Sequence, residues 1–246
     1  MTLRAGGHPA AVTNLLDGRG EGPVHDAATV VLLRQVGGRM ECLMLRKTQG
    51  QTFAGLWVFP GGRVEPSDGR GLEGARRAAV REAAEETGLV IGADDLVPLS
   101  HWTPPVNAPR RYRTWFFLAE LPDGASEVVV DGGEIGDHVW TSPSAALATH
   151  SRGEIDLLPP TWVTLHRLAD QPDVMAALAD AAAHPVERFS TSITRSSDGV
   201  LVALWEPDAA YPSGGDTDEP VDLDTAGARH RLVMAEGGWH YQRSDD

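Results

Sequence analysis

A single cysteine, Cys42, stands among the 246 residues, so no intrachain disulfide can form and a cysteine-rich zinc site is excluded. Long apolar runs are also missing. The longest stretches, around 27–33 and 200–205, are strand-length and too short to cross a bilayer. The first residues include Arg4 and small side chains but no apolar run of a signal peptide, which predicts a cytoplasmic protein without a membrane anchor. Positive charge is scarce: 21 Lys and Arg face 35 Asp and Glu, for a formal net charge of −14. Such a surface repels a phosphate backbone and argues against general nucleic-acid binding. A small phosphorylated ligand stays compatible, because a bound cation inverts the local field.

Hydrophobic residues make up 41% of the chain, enough for one large core or for one core with a small module. Residues 1–25 are rich in Gly, Pro and Ala and are expected to be partly irregular. A main α/β domain is expected over 26–184. Within it, 28–34 reads as a buried strand, Gly37-Gly38 as a turn and 40–46 as a second strand. A loop then leads through Trp57-Val-Phe-Pro60 to Gly61 and Gly62. The next helix is expected to begin near Glu73 or Gly74 and to stop at Gly88, with Leu72, Ala75, Ala79 and Ala83 facing the core. Further strands are expected at 94–99, 112–121, 128–130 and 137–141. Helices are expected at 142–149, capped by Ser142, at 161–168 and at 172–183. From 185 to 246 the pattern changes to short strands (190–195, 199–206, 230–235, 239–243) around an acidic surface loop at 212–224. This tail reads as a β-rich extension packed on the main domain.

The informative segment is Arg81-Glu82-Ala83-Ala84-Glu85-Glu86-Thr87-Gly88-Leu89. On a helix, Glu82, Glu85 and Glu86 project from nearby positions, three and four residues apart. Carboxylates this close repel one another. A divalent cation reverses that cost, since Mg²⁺ prefers hard oxygen ligands and bridges carboxylates to phosphates. Basic neighbours such as Arg76, Arg77 and Arg81 on a solvated face would do the same. Upstream, Gly61-Gly62 forms a turn where backbone atoms can approach a ligand closely.

Glu73, seven residues, and then the Arg81–Leu89 segment resemble the second half of the Nudix box. That signature runs Gly, five residues, Glu, seven residues, Arg-Glu-apolar-x-Glu-Glu-x-Gly-apolar. Here ten residues separate Gly62 from Glu73, and Pro66-Ser-Asp-Gly-Arg-Gly71 reads as a loop insertion. The resemblance implies an α/β/α sandwich with a mixed sheet between helices. It implies Glu82, Glu85 and Glu86 as metal-binding or base-supporting carboxylates, Gly61 as a further ligand through its carbonyl, and Mg²⁺ or Mn²⁺ as the cofactor. It also implies a structural Glu73–Arg81 pair and an acid from a later loop, with Glu134 the candidate and Glu127 the runner-up. The implied reaction is attack of an activated water on phosphorus in a diphosphate.

A second resemblance spans Leu43-Met-Leu-Arg46, Phe53, Gly55–Gly62, Ser67-Asp68, Trp102-Thr-Pro104, Arg110–Phe117 and Leu158-Pro-Pro160. These stretches look like the Nudix branch of peroxisomal coenzyme A diphosphatases, although the coenzyme A signature before the glycine pair is only partly present. The branch implies coenzyme A or its thioesters as substrate, cleaved to 3′,5′-ADP and 4′-phosphopantetheine. Arg46, Arg110, Arg111 and Arg113 are candidates for phosphate contacts. Trp57, Trp102 and Tyr112 would stack on a base or simply pack the core. His101 reads as structural or as a minor pocket residue, and His230, Trp239 and His240 as an interface or pocket cover. Competing readings are an ADP-ribose or NADH pyrophosphatase and a catalytically silent nucleotide-binding regulatory domain. A homodimer is compatible with either.

Overall fold

The computed structural model describes residues 12, 22–48, 53–121, 127–130, 132–212 and 219–244. Most of the irregular segment expected at 1–25 lies outside them, and the first strand already starts at Val24. Strands β1 (Val24–Val36) and β2 (Arg39–Lys47) form a hairpin. Its turn is made by Gly37 and Gly38, both at positive φ, the conformation a two-residue hairpin connection requires. On its other side β1 runs parallel to β6 (Arg111–Glu120) from Val24↔Arg111 to Leu33↔Glu120. The sheet follows the order β3-β2-β1-β6-β5-β8, with β3 Trp57–Val58, β5 Val97–Thr103 and β8 Glu187–Ser190. Off this path, β4 (Gly61–Arg63) pairs with β1 and β7 (Ile135–Thr141) with β2. Parallel and antiparallel pairs coexist, so the sheet is mixed.

The buried run Val30–Leu33 in the middle of β1 is explained by helices on both faces of the sheet. Val30, Leu32, Leu43, Leu45, Phe117 and Ala119 pack with Ala75, Ala78, Ala79 and Ala83 of α1 (Gly71–Thr87). Their neighbours Val31, Leu33, Cys42, Met44, Phe116 and Leu118 point the other way. They pack in one cluster with α2 (Pro143–Ser151), α3 (Pro159–Ala169) and α4 (Val174–Ala183). The result is the expected α/β/α sandwich. Alanines line the core side of α1, and Gly88 ends it in the left-handed conformation with its N–H donating to the Ala84 carbonyl.

The tail adds an antiparallel sheet of order β12-β11-β10-β9: β9 Ser192–Arg195, β10 Leu201–Leu204, β11 Arg229–Ala235 and β12 Gly238–Ser244. It does not merely lean on the main sheet. Its first strand, β8, joins that sheet beside β5 in parallel. Phe189 of β8 stacks on Trp102 of β5 with centroids 3.7 Å apart, and Trp205 meets both rings edge-on.

Four expectations need correction. Residues 128–130 form no strand; the Val129 N–H instead donates to the carbonyl of Thr87, one of the orphan acceptors at the end of α1. The strand expected from 94 begins only at Val97, because Ala93–Asp95 make a 3₁₀ turn. Helix α1 starts at Gly71, earlier than its acidic face suggested. Pro159 and Pro160 form the first turn of α3 rather than precede it, a position where a missing N–H costs nothing. None of the described helices is long and apolar enough to cross a membrane.

Two buried histidines make stability sensitive to acid. Burial pulls His101 and His150 down to about 4 from an ordinary 6.5, with nearby Arg188 and Arg113 adding to the effect on His101. The unfolded chain therefore binds more protons between these values. Stability from these groups is complete above about pH 6.5 and is lost as pH falls toward 4. The loss should be on the order of 2–3 kcal/mol per histidine, read by urea titrations at a series of pH values. Replacing His150 by an uncharged residue should flatten part of that slope.

Candidate active site

The loop before α1 is anchored by Asp68. Its side chain, 7% exposed, receives the Arg81 guanidinium at 2.9 Å and holds the Glu65 N–H at 2.8 Å. The hydrogen bond from Arg81 holds the Asp68 carboxyl below the usual carboxylate range. Arg81 also reaches Glu82 at 2.8 Å, Glu85 at 3.3 Å and the Arg63 carbonyl at 3.0 Å, tying loop, β4 and helix together. The Glu73–Arg81 pair is thus a wrong assignment. Glu73 is 70% exposed and lies 3.6 Å from Arg76 instead. Five residues separate Asp68 from Gly62, the spacing the signature gives to its first acid, so the extra residues fall between Asp68 and Arg81. Asp68→Asn should cost about 1–3 kcal/mol by leaving Arg81 without its buried carboxylate, whereas Glu73→Gln should change stability by less than about 0.5 kcal/mol. Chemical denaturation of both variants checks the order.

Glu86 is the most enclosed of the helix acids, its side chain 5% exposed. It accepts the Gly61 N–H at 2.8 Å and the Lys47 ammonium at 2.6 Å. Burial raises its pKa even against the opposing pull of Lys47 and Gly61. Burial likewise raises that of Glu82, with Arg81 opposing. A side chain at position 62 would run into the Glu82 carboxylate and displace it, so glycine here lets that carboxylate lie against β4. Glu85 is 59% exposed and turned toward Arg81. Repulsion among the three acids is thus relieved by basic neighbours, Arg81 and Lys47, without a bound cation.

Beside these acids opens a cavity of about 440 Å³. Gly61, Gly62, Glu82, Lys47 and Glu134 line it, and the Lys47 ammonium lies 3.6 Å from the Glu134 carboxylate. Of the other expected site residues, Arg110 and Trp102 also reach the cavity, with Tyr112 beside Phe53 at 6.1 Å. Trp102, however, is 3% exposed and already stacked on Phe189, so it serves the core rather than a base. Arg46 and Arg111 do not line the cavity. Arg46 is exposed on the opposite side of β2 from Lys47, and Arg111 has its Nε buried without an acceptor among the described residues. Arg113 pairs with Asp26 at 2.7 Å, and Glu127 is exposed away from the cavity.

Sequence reasoning missed Lys47, although two signals marked it. Leu43 and Leu45 face α1, and strand alternation puts residue 47 on that same face. Moreover, it is the only lysine in the chain, beside twenty arginines. The tail's contribution was also missed: Thr191 and Ile193 line the cavity, with Pro104, Pro105 and the 158–160 segment.

No group of three His, Cys, Asp or Glu gathered to hold a metal occurs among the described residues. The donor chemistry nevertheless fits a hard divalent ion. Glu82 lines the cavity and Glu86 follows it one turn later on α1; burial disfavours the charged form of both, and Gly62 passes against the Glu82 carboxylate.

The family model for the NUDIX domain matches residues 23–174. A Caenorhabditis elegans protein named as nudix hydrolase 7 is 27% identical over 183 residues, 60% of this chain and 61% of that protein. The Gallus gallus acyl-coenzyme A diphosphatase NUDT19 is 31% identical over 154 residues, 55% of this chain and 40% of that protein. The chain therefore spans less than two thirds of either relative. A NUDIX hydrolase crystal structure from Alicyclobacillus acidocaldarius superposes with a TM-score of 0.60 at 21% identity, covering 67% of this chain and 100% of the other. With the domain matched over more than half its length and the sandwich in place, the chain belongs to the NUDIX family.

Proposed function

We propose that the chain is a Mg²⁺- or Mn²⁺-dependent hydrolase that cleaves the diphosphate linkage of a nucleotide derivative, with coenzyme A thioesters as the preferred class. The observation that carries this reading is the mixed lining of one cavity. Glu82, Glu134 and the sole lysine, Lys47, line it together with apolar Pro104, Pro105, Leu158 and Ile193. A diphosphate with an uncharged arm suits such a lining better than ADP-ribose or NADH, which are polar at both ends.

Glu82 and Glu86, with Glu85 and the Gly61 carbonyl, would hold the cation, which neutralises phosphate oxygens and lowers the pKa of a bound water. The Gly61 N–H keeps the Glu86 carboxylate aimed, and Arg81 does the same for Glu82. Glu134, placed on the loop that precedes β7, orients or deprotonates the attacking water. Lys47 and Arg110 meet phosphate oxygens, the first as a point charge and the second as a fork. Attack at phosphorus expels the other phosphate-bearing half.

Product analysis on coenzyme A, an acyl thioester, ADP-ribose, NADH and dinucleoside polyphosphates, with either metal or with chelator, tests the reading. The expected products from the thioester are 3′,5′-ADP and the acylated 4′-phosphopantetheine, formed only with metal. The occupation of Glu86 by Lys47 favours one second reading, a silent nucleotide-binding domain. Tight ligand binding without turnover in either metal would select it.

A further inference from the structure

We propose that Lys47 is a built-in counter-cation that holds Glu86 and Glu134 together without metal and moves onto an anionic oxygen of the substrate once a divalent ion takes those carboxylates. This rests on the diphosphatase reading above and adds a role for one side chain within it. Lys47 is a positioning residue first and a substrate contact second.

Three observations meet at this residue. The Lys47 side chain is only 12% exposed and its ammonium lies 2.6 Å from Glu86 and 3.6 Å from Glu134, so it bridges acids from α1 and from the loop before β7. Its stem rises from β2 on the face that Leu43 and Leu45 bury against α1, and its head reaches the cavity. Finally, the chain uses arginine at all its other basic positions. Where a fixed cation is needed, as in Arg81–Asp68 or the fully buried Arg231–Asp208, a forked guanidinium locks onto its carboxylate. At position 47 stands a compact point charge on a flexible four-carbon stem, the side chain suited to a cation that must let go.

The electrostatics require it to let go. An ammonium in contact with Glu86 competes with any divalent ion for that carboxylate, and like charges this close repel strongly in a partly buried site. In the cavity, a phosphate oxygen offers the released ammonium a new partner. Lys47 thus keeps the acids aligned in the free protein and lowers their affinity for metal until substrate arrives with it.

Because Lys47 is the only side-chain amine, labelling of the intact wild-type protein by an amine-reactive reagent reports on it directly, with peptide mapping separating it from the N-terminus. Mn²⁺ alone should raise labelling of Lys47 several-fold, and Mn²⁺ with inorganic diphosphate should suppress it again. Labelling unchanged or lowered by Mn²⁺ alone overturns the proposal. In Lys47→Gln, calorimetry should show Mn²⁺ binding the substrate-free protein about tenfold or more tightly than wild type. The same variant should melt lower without metal and recover most of the difference when saturated with Mn²⁺. Lys47→Arg should keep weak Mn²⁺ binding. Weaker or equal Mn²⁺ affinity in a folded Lys47→Gln overturns the counter-cation role while leaving the diphosphatase reading intact. If no form binds Mn²⁺, the metal-dependent reading itself falls, and this inference with it.

Discussion

Glu86→Gln should lower kcat/KM for diphosphate hydrolysis by about 10²–10³ while leaving the chain folded. The change is nearly isosteric, and the amide oxygen can still accept the Gly61 N–H that Glu86 now holds at 2.8 Å. What disappears is the charge. An amide N–H would face the Lys47 ammonium, and a hard cation would lose an anionic oxygen beside Gly61 and Lys47. Glu85→Gln is the internal comparison. That side chain is 59% exposed and bound to Arg81, so its loss should be at least about tenfold smaller. Steady-state kinetics on the best substrate of the panel, with circular dichroism to verify folding, reads both. Equal losses would mean that the three acids act as one exposed cluster.

The second large effect belongs to stability. The side chains of Asp208 and Arg231 are 0% exposed and joined by two hydrogen bonds at 2.7 and 2.6 Å. Burial alone would raise the Asp208 pKa; the Arg231 fork and the N–H groups of His230 and Ala210 outweigh it and hold the carboxyl below its ordinary range. Asp208→Asn removes the counter-charge and one of the two acceptor oxygens, leaving a buried guanidinium with an amide oxygen and the Leu223 carbonyl at 2.9 Å. The expected cost is about 3–5 kcal/mol in denaturant titrations. Replacing both partners by apolar residues of similar size, Asp208→Leu with Arg231→Met, should recover most of it, because no uncompensated charge remains. The tail also carries Ile193 to the cavity, so the single variant should weaken the apolar arm's binding as well.

The sandwich could be read from local pattern because its strands and helices announce themselves over short windows. The 28–34 run, the Gly37-Gly38 turn and the alanine face ending at Gly88 each follow from one stretch of chain. The spacing of Glu82, Glu85 and Glu86 was legible for the same reason. Errors came where the answer depends on alternation or on distant pairing. Arg46 suggests itself as a phosphate contact because an arginine fork suits phosphate, yet the parity set by Leu43 and Leu45 puts residue 47 beside α1. Asp68 was passed over because Glu73 completes the motif's second half. Only the fold shows that the additional residues fall after Asp68 and lengthen the start of α1. The valines at 128–130 have strand propensity, but the chain there spends its N–H on the end of a helix. Nothing local could show that Ile193 would reach the cavity, since this follows from β8 pairing with β5, far away in sequence.

The most direct test of the whole account is a crystal grown with Mn²⁺ and a non-cleavable diphosphate, with the ion located by its anomalous signal. The account predicts a peak bonded to Glu82 and Glu86, with the Lys47 ammonium turned away from Glu86 onto a phosphate oxygen. A peak elsewhere, or a bound diphosphate with Lys47 still seated on Glu86 and no ion at these carboxylates, would contradict it.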